Sequence, residues 1–235
     1  MKISLQKWVE TIYLWSVKTP FNSILKISGL SAPAVSRILT KLQEAVRDDC
    51  LKNPPKLGGR GTVTQIDEAE YGHTQKGHKG RPSTVMLDIW GAIDQETGRM
   101  VVVPFKKLAD DGKTRRFGPA KAEEVLPLVT RFVAVGGWIV SDRLRAYRSN
   151  LSALGYKHIA LNHSDAEFVH PTNHDIHSQT MEGAWADMKT HFRAMHGVLK
   201  GRAEDHLYEW MWRRNTQAAS ACPFHSLLLL LGKKN

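Results

Sequence analysis

The stretch GGWIVSDRLRAYRSNLSALGYKHIALN, residues Gly136–Asn162, holds two short apolar runs separated by a helical segment. Trp138, Ile139 and Val140 follow a glycine pair and end on Ser141 and Asp142, the pattern of a buried strand at the point where it leaves a sheet. RLRAYRSNLSALG then has helical character and closes on Gly155, and YKHIALN reads as a further strand. Upstream, VTQIDEAEY alternates, STVMLDIWGAID and RMVVVPF are β-rich runs parted by the turn DQETG, and AKAEEVLPLVTRFV is helical. Downstream, a polar loop from Asn162 to Ser178 leads into a long helix within HSQTMEGAWADMKTHFR, His177–Arg193. Three strands, helix, strand, helix, strand and long helix specify the α/β class, a mixed sheet covered by helices.

The first 48 residues have a different character. Leu5, Trp8, Val9, Ile12 and Leu14 cluster in one segment with helical periodicity, and Ile24, Leu25 and Ile27 in a second. In SGLSAPAVSRILTKLQEAV, Gly29 supplies a tight turn, Ser31 a cap and Pro33 a tolerated first-turn residue. Ala34, Val35, Ile38, Leu39 and Leu42 form an inward stripe at helical spacing. The pattern is that of a helix-turn-helix, whose second helix would present Ser36, Arg37, Thr40 and Lys41 to phosphates and base edges. An ordinary helical hairpin has the same pattern. Residues 49–62, rich in Pro, Gly and charge, read as a linker. The expected division is therefore a helical module at 1–48, the linker, and an α/β domain at 63–235.

A formal charge of +10 and an isoelectric point near 9.7 favour polyanionic partners, nucleic acid above all. Two distant cysteines, Cys50 and Cys222, specify neither a disulfide framework nor a paired-cysteine zinc site, which suits a reducing interior. The longest apolar run, Leu227–Leu231, is too short to span a bilayer, so a soluble protein is expected.

Three acids stand out by position. Asp142 ends its strand, at the sheet edge where ligands bind in open α/β folds, although an N-cap role for RLRAY accounts for it equally. Asp67 lies within the first strand of the sheet domain, with Glu68 and Glu70 as neighbouring alternatives. Glu182 falls in the first turns of the late helix. On that helix Met181, Ala184, Trp185, Met188, Phe192 and Met195 share one apolar face, and Glu182, Lys189 and Arg193 follow one another along its border. A solvated charged face has the same pattern, but the two upstream acids give the file a chemical purpose. Carboxylates are hard oxygen ligands for Mg²⁺, and two divalent ions about 3.5–4 Å apart can both activate a nucleophile and stabilise a leaving oxygen at a phosphodiester. Lys189 and Arg193 would then neutralise phosphate oxygens.

In this order, QIDEAEYG followed by KGHKG, IWGAID, GGWIVSDRLRAY, LGYKHIALNHSDAEFV, HSQTMEGAWADMKTHFR and LYEWMWRRN resemble the DDE transposases of the Merlin superfamily and the related bacterial insertion-sequence transposases. The resemblance spans about Gly61 to Asn215. It implies a ribonuclease H-like core in which Asp67, Asp142 and Glu182 are the catalytic, metal-binding acids and Lys189 the helix lysine that follows the last of them. It also implies Mg²⁺, with Mn²⁺ as a substitute, and cut-and-paste chemistry: water attacks one strand at the transposon end, and the exposed 3′ hydroxyl later attacks target DNA. The implied partners are double-stranded transposon ends and target DNA, with a homo-oligomer on paired ends. The implied location is the nucleus in a eukaryotic host and the cytoplasm or nucleoid in a bacterium. The chain departs from the family pattern in reading HSQ where relatives often have His-Thr-Asn, and in beginning with the helical module where many bacterial relatives carry a cysteine zinc ribbon. The histidines His163, His170, His174 and His177 read as a polar loop near the site, without the cysteines of a structural zinc centre. A domesticated DNA-binding protein that keeps the fold without transposing is the alternative reading.

Overall fold

The structure is a computed structural model describing residues 3–71, 87–105, 120–142, 145–148, 150–161, 177–195 and 201–232. The chain forms two compact units, residues 55–207 and residues 1–54 with 208–235.

The first of these is built on a five-stranded sheet of β2 (Val63–Tyr71), β3 (Leu87–Asp94), β4 (Met100–Phe105), β6 (Trp138–Asp142) and β7 (Lys157–Leu161). Its order is β4-β3-β2-β6-β7, antiparallel from β4 to β2 and parallel from β2 through β6 to β7. This is the ribonuclease H-like arrangement that the family resemblance implies. A strand's side chains alternate between faces, so each strand serves two cores. Ile66, Trp90, Ala92, Val101 and Ile139 pack against Val125, Val129 and Phe132 of α4 (Ala122–Phe132) and Tyr147 of α5 (Arg145–Arg148). The opposite face carries Gln65, Asp67 and Tyr71 and meets α6 (Gln179–Arg193). The expected apolar stripe of α6 is buried at Met181, Ala184, Trp185, Met188 and Phe192.

The other unit contains α1 (Leu5–Ser16), α2 (Phe21–Ser28) and α3 (Ala32–Lys52), joined by the end of α7 (Ala203–Ala218) and by α8 (Pro223–Gly232). Gly29 turns the chain between α2 and α3 with φ 66°, a left-handed conformation that costs glycine little. Val35, Ile38 and Leu42 are buried as expected; Ser31 occupies the N-cap position of α3 without a side-chain capping bond. Arg213 ties this unit together. Its guanidinium lies 4.1 Å from the Trp15 ring centroid, donates to the carbonyls of Trp15 and Ser16 at the end of α1 (2.9 and 3.1 Å), and pairs with Glu209 at 2.8 Å. Glu209 in turn accepts from the Gln43 amide of α3 at 2.8 Å.

Two boundaries differ from the sequence division. The sequence division places the helices after Leu207 with the sheet domain by their position in the chain, whereas the Arg213, Glu209 and Gln43 contacts join them to the N-terminal helices. The linker is also shorter than 49–62. Helix α3 continues to Lys52, β1 (Leu57–Gly58) pairs in parallel with β5 (Val133–Ala134), and the Lys56 ammonium donates to the Thr130 and Arg131 carbonyls at the end of α4. Only residues 53–56 fall between α3 and β1. The expected helix after Asp142 is helical over Arg145–Arg148, followed by turns at residues 150–155. Both cysteines are free thiols, Cys50 buried and Cys222 exposed. Leu227 and Leu230 of the apolar run are buried in α8, and among the described residues no helix is long and apolar enough to cross a membrane.

Candidate active site

Asp67 and Asp142 leave adjacent parallel strands on the same face of the sheet. The printed register of β2 on β6 ends at Gln65 opposite Val140, and each aspartate lies two residues beyond, which by the two-residue period is on the same side. Ile66 and Ile139 both enter the α4 core, so the residues flanking them turn to the opposite face of the sheet. Asp142 pairs with Leu161 on its other side. Both aspartates are partly exposed.

Helix α6 runs along β2 over this face. The Met181 amide, in its first turn, donates to the Gln65 side-chain carbonyl at 2.8 Å. One turn on, the Trp185 indole donates to Asp67 Oδ2 at 3.0 Å. At the far end Phe192 packs on Tyr71 with ring centroids 4.1 Å apart. Glu182 therefore sits on the turn between the first two contacts, exposed, with the Ser178 hydroxyl donating to its Oε1 at 3.3 Å. Lys189 and Arg193 are exposed further along the helix. Gly91, directly opposite Asp67 on β3, makes room for the indole: a Cβ there would lie 2.5 Å from Trp185.

The other face supports the same strands. Glu68 points away from Asp67 and accepts from the Tyr147 hydroxyl, which itself accepts from the Trp90 indole at 3.1 Å. Burial and the Glu68 carboxylate hold the Tyr147 hydroxyl well above the ordinary tyrosine range. Ser141, beside Asp142, is within 2.8 Å of His158 Nε2. Burial lowers the His158 imidazole, and the Asp142 charge works against that.

Asp67 and Asp142 thus share a face, and the Trp185 indole ties Asp67 to α6, the helix that bears Glu182. The donor chemistry suits a hard divalent cation, three carboxylates from two strands and a helix. Among the described residues no three His, Cys, Asp or Glu side chains are gathered as a metal cluster, so these acids do not form a closed cage. Of the neighbouring alternatives, Glu68 is drawn to Tyr147, and Glu70 shares its strand parity. Ser36, Arg37 and Lys41 are exposed on α3 and Thr40 is half-buried, in the other unit. His163, His170, His174 and the KGHKG segment lie outside the described residues, and His177 Nδ1 is 3.4 Å from the Gln65 amide nitrogen. Sequence reading missed Gln65, Gly91 and the polar role of Trp185; a glycine inside a strand was the one available signal of close approach.

The family model of the ISXO2-like transposase domain matches residues 61–215. No curated protein matches the chain. Among solved structures, the catalytic core domain of BIV integrase is similar with a TM-score of 0.40 and 14% identity, over 73% of this chain and 97% of that one. The HTLV-2 integrase catalytic core domain in complex with magnesium gives 0.38 and 12%, over 66% and 86%. The Mos1 transposase paired-end complex with the left transposon end gives 0.32 and 11%, over 94% and 78%. With the family model covering well over half of its length, the chain belongs to the ISXO2-like transposase family.

Proposed function

We propose that the protein is a DNA transposase that cleaves and joins strands at transposon ends with a divalent metal. The observation that carries this reading is the placement of Asp67 and Asp142 on one sheet face, with Asp67 bonded to the helix that bears Glu182, in a chain of this family. Asp67, Asp142 and Glu182 would hold Mg²⁺ or Mn²⁺. When bound, such ions polarise phosphoryl oxygens and favour formation of the attacking oxyanion. The protein's own side chains bind and orient the DNA. Lys189 and Arg193 contact phosphate oxygens from the border of α6, and Ser36, Arg37, Thr40 and Lys41 of α3 hold the transposon end through its backbone and base edges. Hydrolysis breaks a phosphodiester bond at the end and leaves a 3′ hydroxyl, which then displaces a 3′ oxygen in target DNA. Two ends must be brought together, which calls for more than one copy of the chain.

The test is strand transfer. A pre-cleaved terminal duplex of the element is incubated with supercoiled plasmid, Mg²⁺ and the full chain. Joined product that disappears with chelator supports the transposase. Binding of the terminal duplex without joining in either Mg²⁺ or Mn²⁺ favours the domesticated DNA-binding alternative.

A further inference from the structure

The contacts between β2 and α6 have a regularity that packing alone does not require. Gln65 and Asp67 are two residues apart on β2, a rise of about 6.8 Å, and Met181 and Trp185 are four apart on α6, a rise of about 6 Å. The two spacings nearly match. Each strand residue therefore meets its helix partner with a directed hydrogen bond, one at 2.8 Å and one at 3.0 Å. Glu182 lies between the bonds. A shift of the helix by one residue along the strand would break both and swing Glu182 about 100° around the helix.

Both bonds are built to hold one orientation. Gln65 is 1% exposed. Its amide nitrogen faces Gln95 Oε1 at 3.0 Å, so its carbonyl is the group left to accept from Met181. That carbonyl shares the Met181 amide with the Ser178 backbone carbonyl, 2.8 against 3.1 Å, in the first turn of α6, where Ser178 at the N-cap makes no side-chain capping bond. Trp185 is 5% exposed and rests where only a glycine at position 91 leaves space, opposite Asp67. Its indole N–H has one donor direction, and that direction is taken by a carboxylate proposed to bind metal.

We propose that Gln65 and Trp185 are positioning residues, a two-point clamp that sets the register of α6 on β2 and so the placement of Glu182 relative to Asp67, with Trp185 also fixing the orientation of the Asp67 carboxylate. The inference rests on the metal-binding reading of the acids. Outer partners that orient a metal ligand typically contribute 10- to 100-fold to affinity.

The experiment measures Mn²⁺ binding to the full chain by electron paramagnetic resonance, for wild type, Trp185→Phe, Gln65→Met and Asp142→Asn, with thermal melting of each. Trp185→Phe keeps an aromatic ring and removes the N–H; Gln65→Met keeps length and removes the carbonyl. Expected are cooperative melting of both clamp variants, Mn²⁺ affinity lowered about 10- to 100-fold, and DNA cleavage restored by raising Mn²⁺. Rescue by metal separates a positioning role from a loss of fold. Should one variant not fold, the other decides. Mn²⁺ affinity equal to wild type in a folded clamp variant overturns the clamp while leaving the metal reading intact. Wild type that binds no better than Asp142→Asn overturns the metal reading and the clamp with it.

Discussion

Trp90 donates its indole N–H to the Tyr147 hydroxyl across 3.1 Å, and both side chains are fully buried. The hydroxyl in turn donates a hydrogen bond to Glu68, so α5 is joined to β2 at the residue next to Asp67. Strand β2 is thus held from both faces at neighbouring positions, by Tyr147 at Glu68 and by Trp185 at Asp67.

Tyr147→Phe removes the acceptor of the Trp90 indole and a donor to Glu68. Leaving a buried donor without its partner costs about 1–3 kcal/mol, so urea unfolding should shift by that amount at neutral pH. The pH dependence has a definite sign. Burial first, then Glu68, raises the folded-state value of Tyr147 above that of an unfolded tyrosine, about 10. The folded chain then keeps a proton that the unfolded chain releases, and the contribution is full below pH ~10 and falls as pH rises from there toward the folded value. The advantage of wild type over Tyr147→Phe should narrow above pH ~10 in the same titration.

Gly91→Ala places a Cβ 2.5 Å from the Trp185 ring, within a packed interface of strand and helix. Overpacking of this kind costs about 1–3 kcal/mol. Because the displaced group is the one bonded to Asp67, cleavage should fall further than stability accounts for. Paired measurement of melting and end cleavage checks this, and equal, small effects on both would remove the steric role of Gly91.

Arg213→Ala should destabilise the helical unit by about 3–5 kcal/mol, the cost of breaking a buried ion pair by removing one partner. Arg213 is 8% exposed and Glu209 6%, and the same guanidinium caps two carbonyls of α1. Hydrogen exchange should show loss of protection in α1 and α3 as well as α7. A chain ending at Leu207 should lose protection in α1 and α3 for the same reason, despite retaining every residue of both helices.

Arg37→Ala with Lys41→Ala should weaken binding to the terminal duplex and flatten its salt dependence by about two units of slope, since each phosphate contact contributes roughly one released counterion. Both residues are exposed on α3. Fluorescence anisotropy across a salt series measures it, and an unchanged slope would remove α3 from the DNA interface.

The strands were legible in the sequence because local patterns define them: alternation in VTQIDEAEY, the apolar run before Asp142, and turn residues in DQETG. The stripe from Met181 to Phe192 was legible for the same reason. What escaped depends on distant partners. Along α7, Leu207, Tyr208, Trp210, Met211 and Trp212 are all buried, so its apolar residues do not single out one face or say which unit it joins; the Gln43 to Glu209 bond spans 166 residues. Asp48–Lys52 has the composition of a linker, yet it continues a helix already nucleated upstream, where adding a turn costs little. Gln65 reads as an ordinary polar residue of an alternating strand. Its meaning arises only when α6 lies across it.

The most direct test of the account is cleavage of the element's terminal DNA, in Mg²⁺ or Mn²⁺, by the wild-type chain and by Asp142→Asn, Asp67→Asn and Glu182→Gln purified in parallel, with DNA affinity measured on the same preparations. Metal-dependent nicking is expected from wild type alone, with similar DNA binding by all four. Cleavage by folded variants at the wild-type rate, or loss of binding in step with cleavage, would contradict the assignment of these acids.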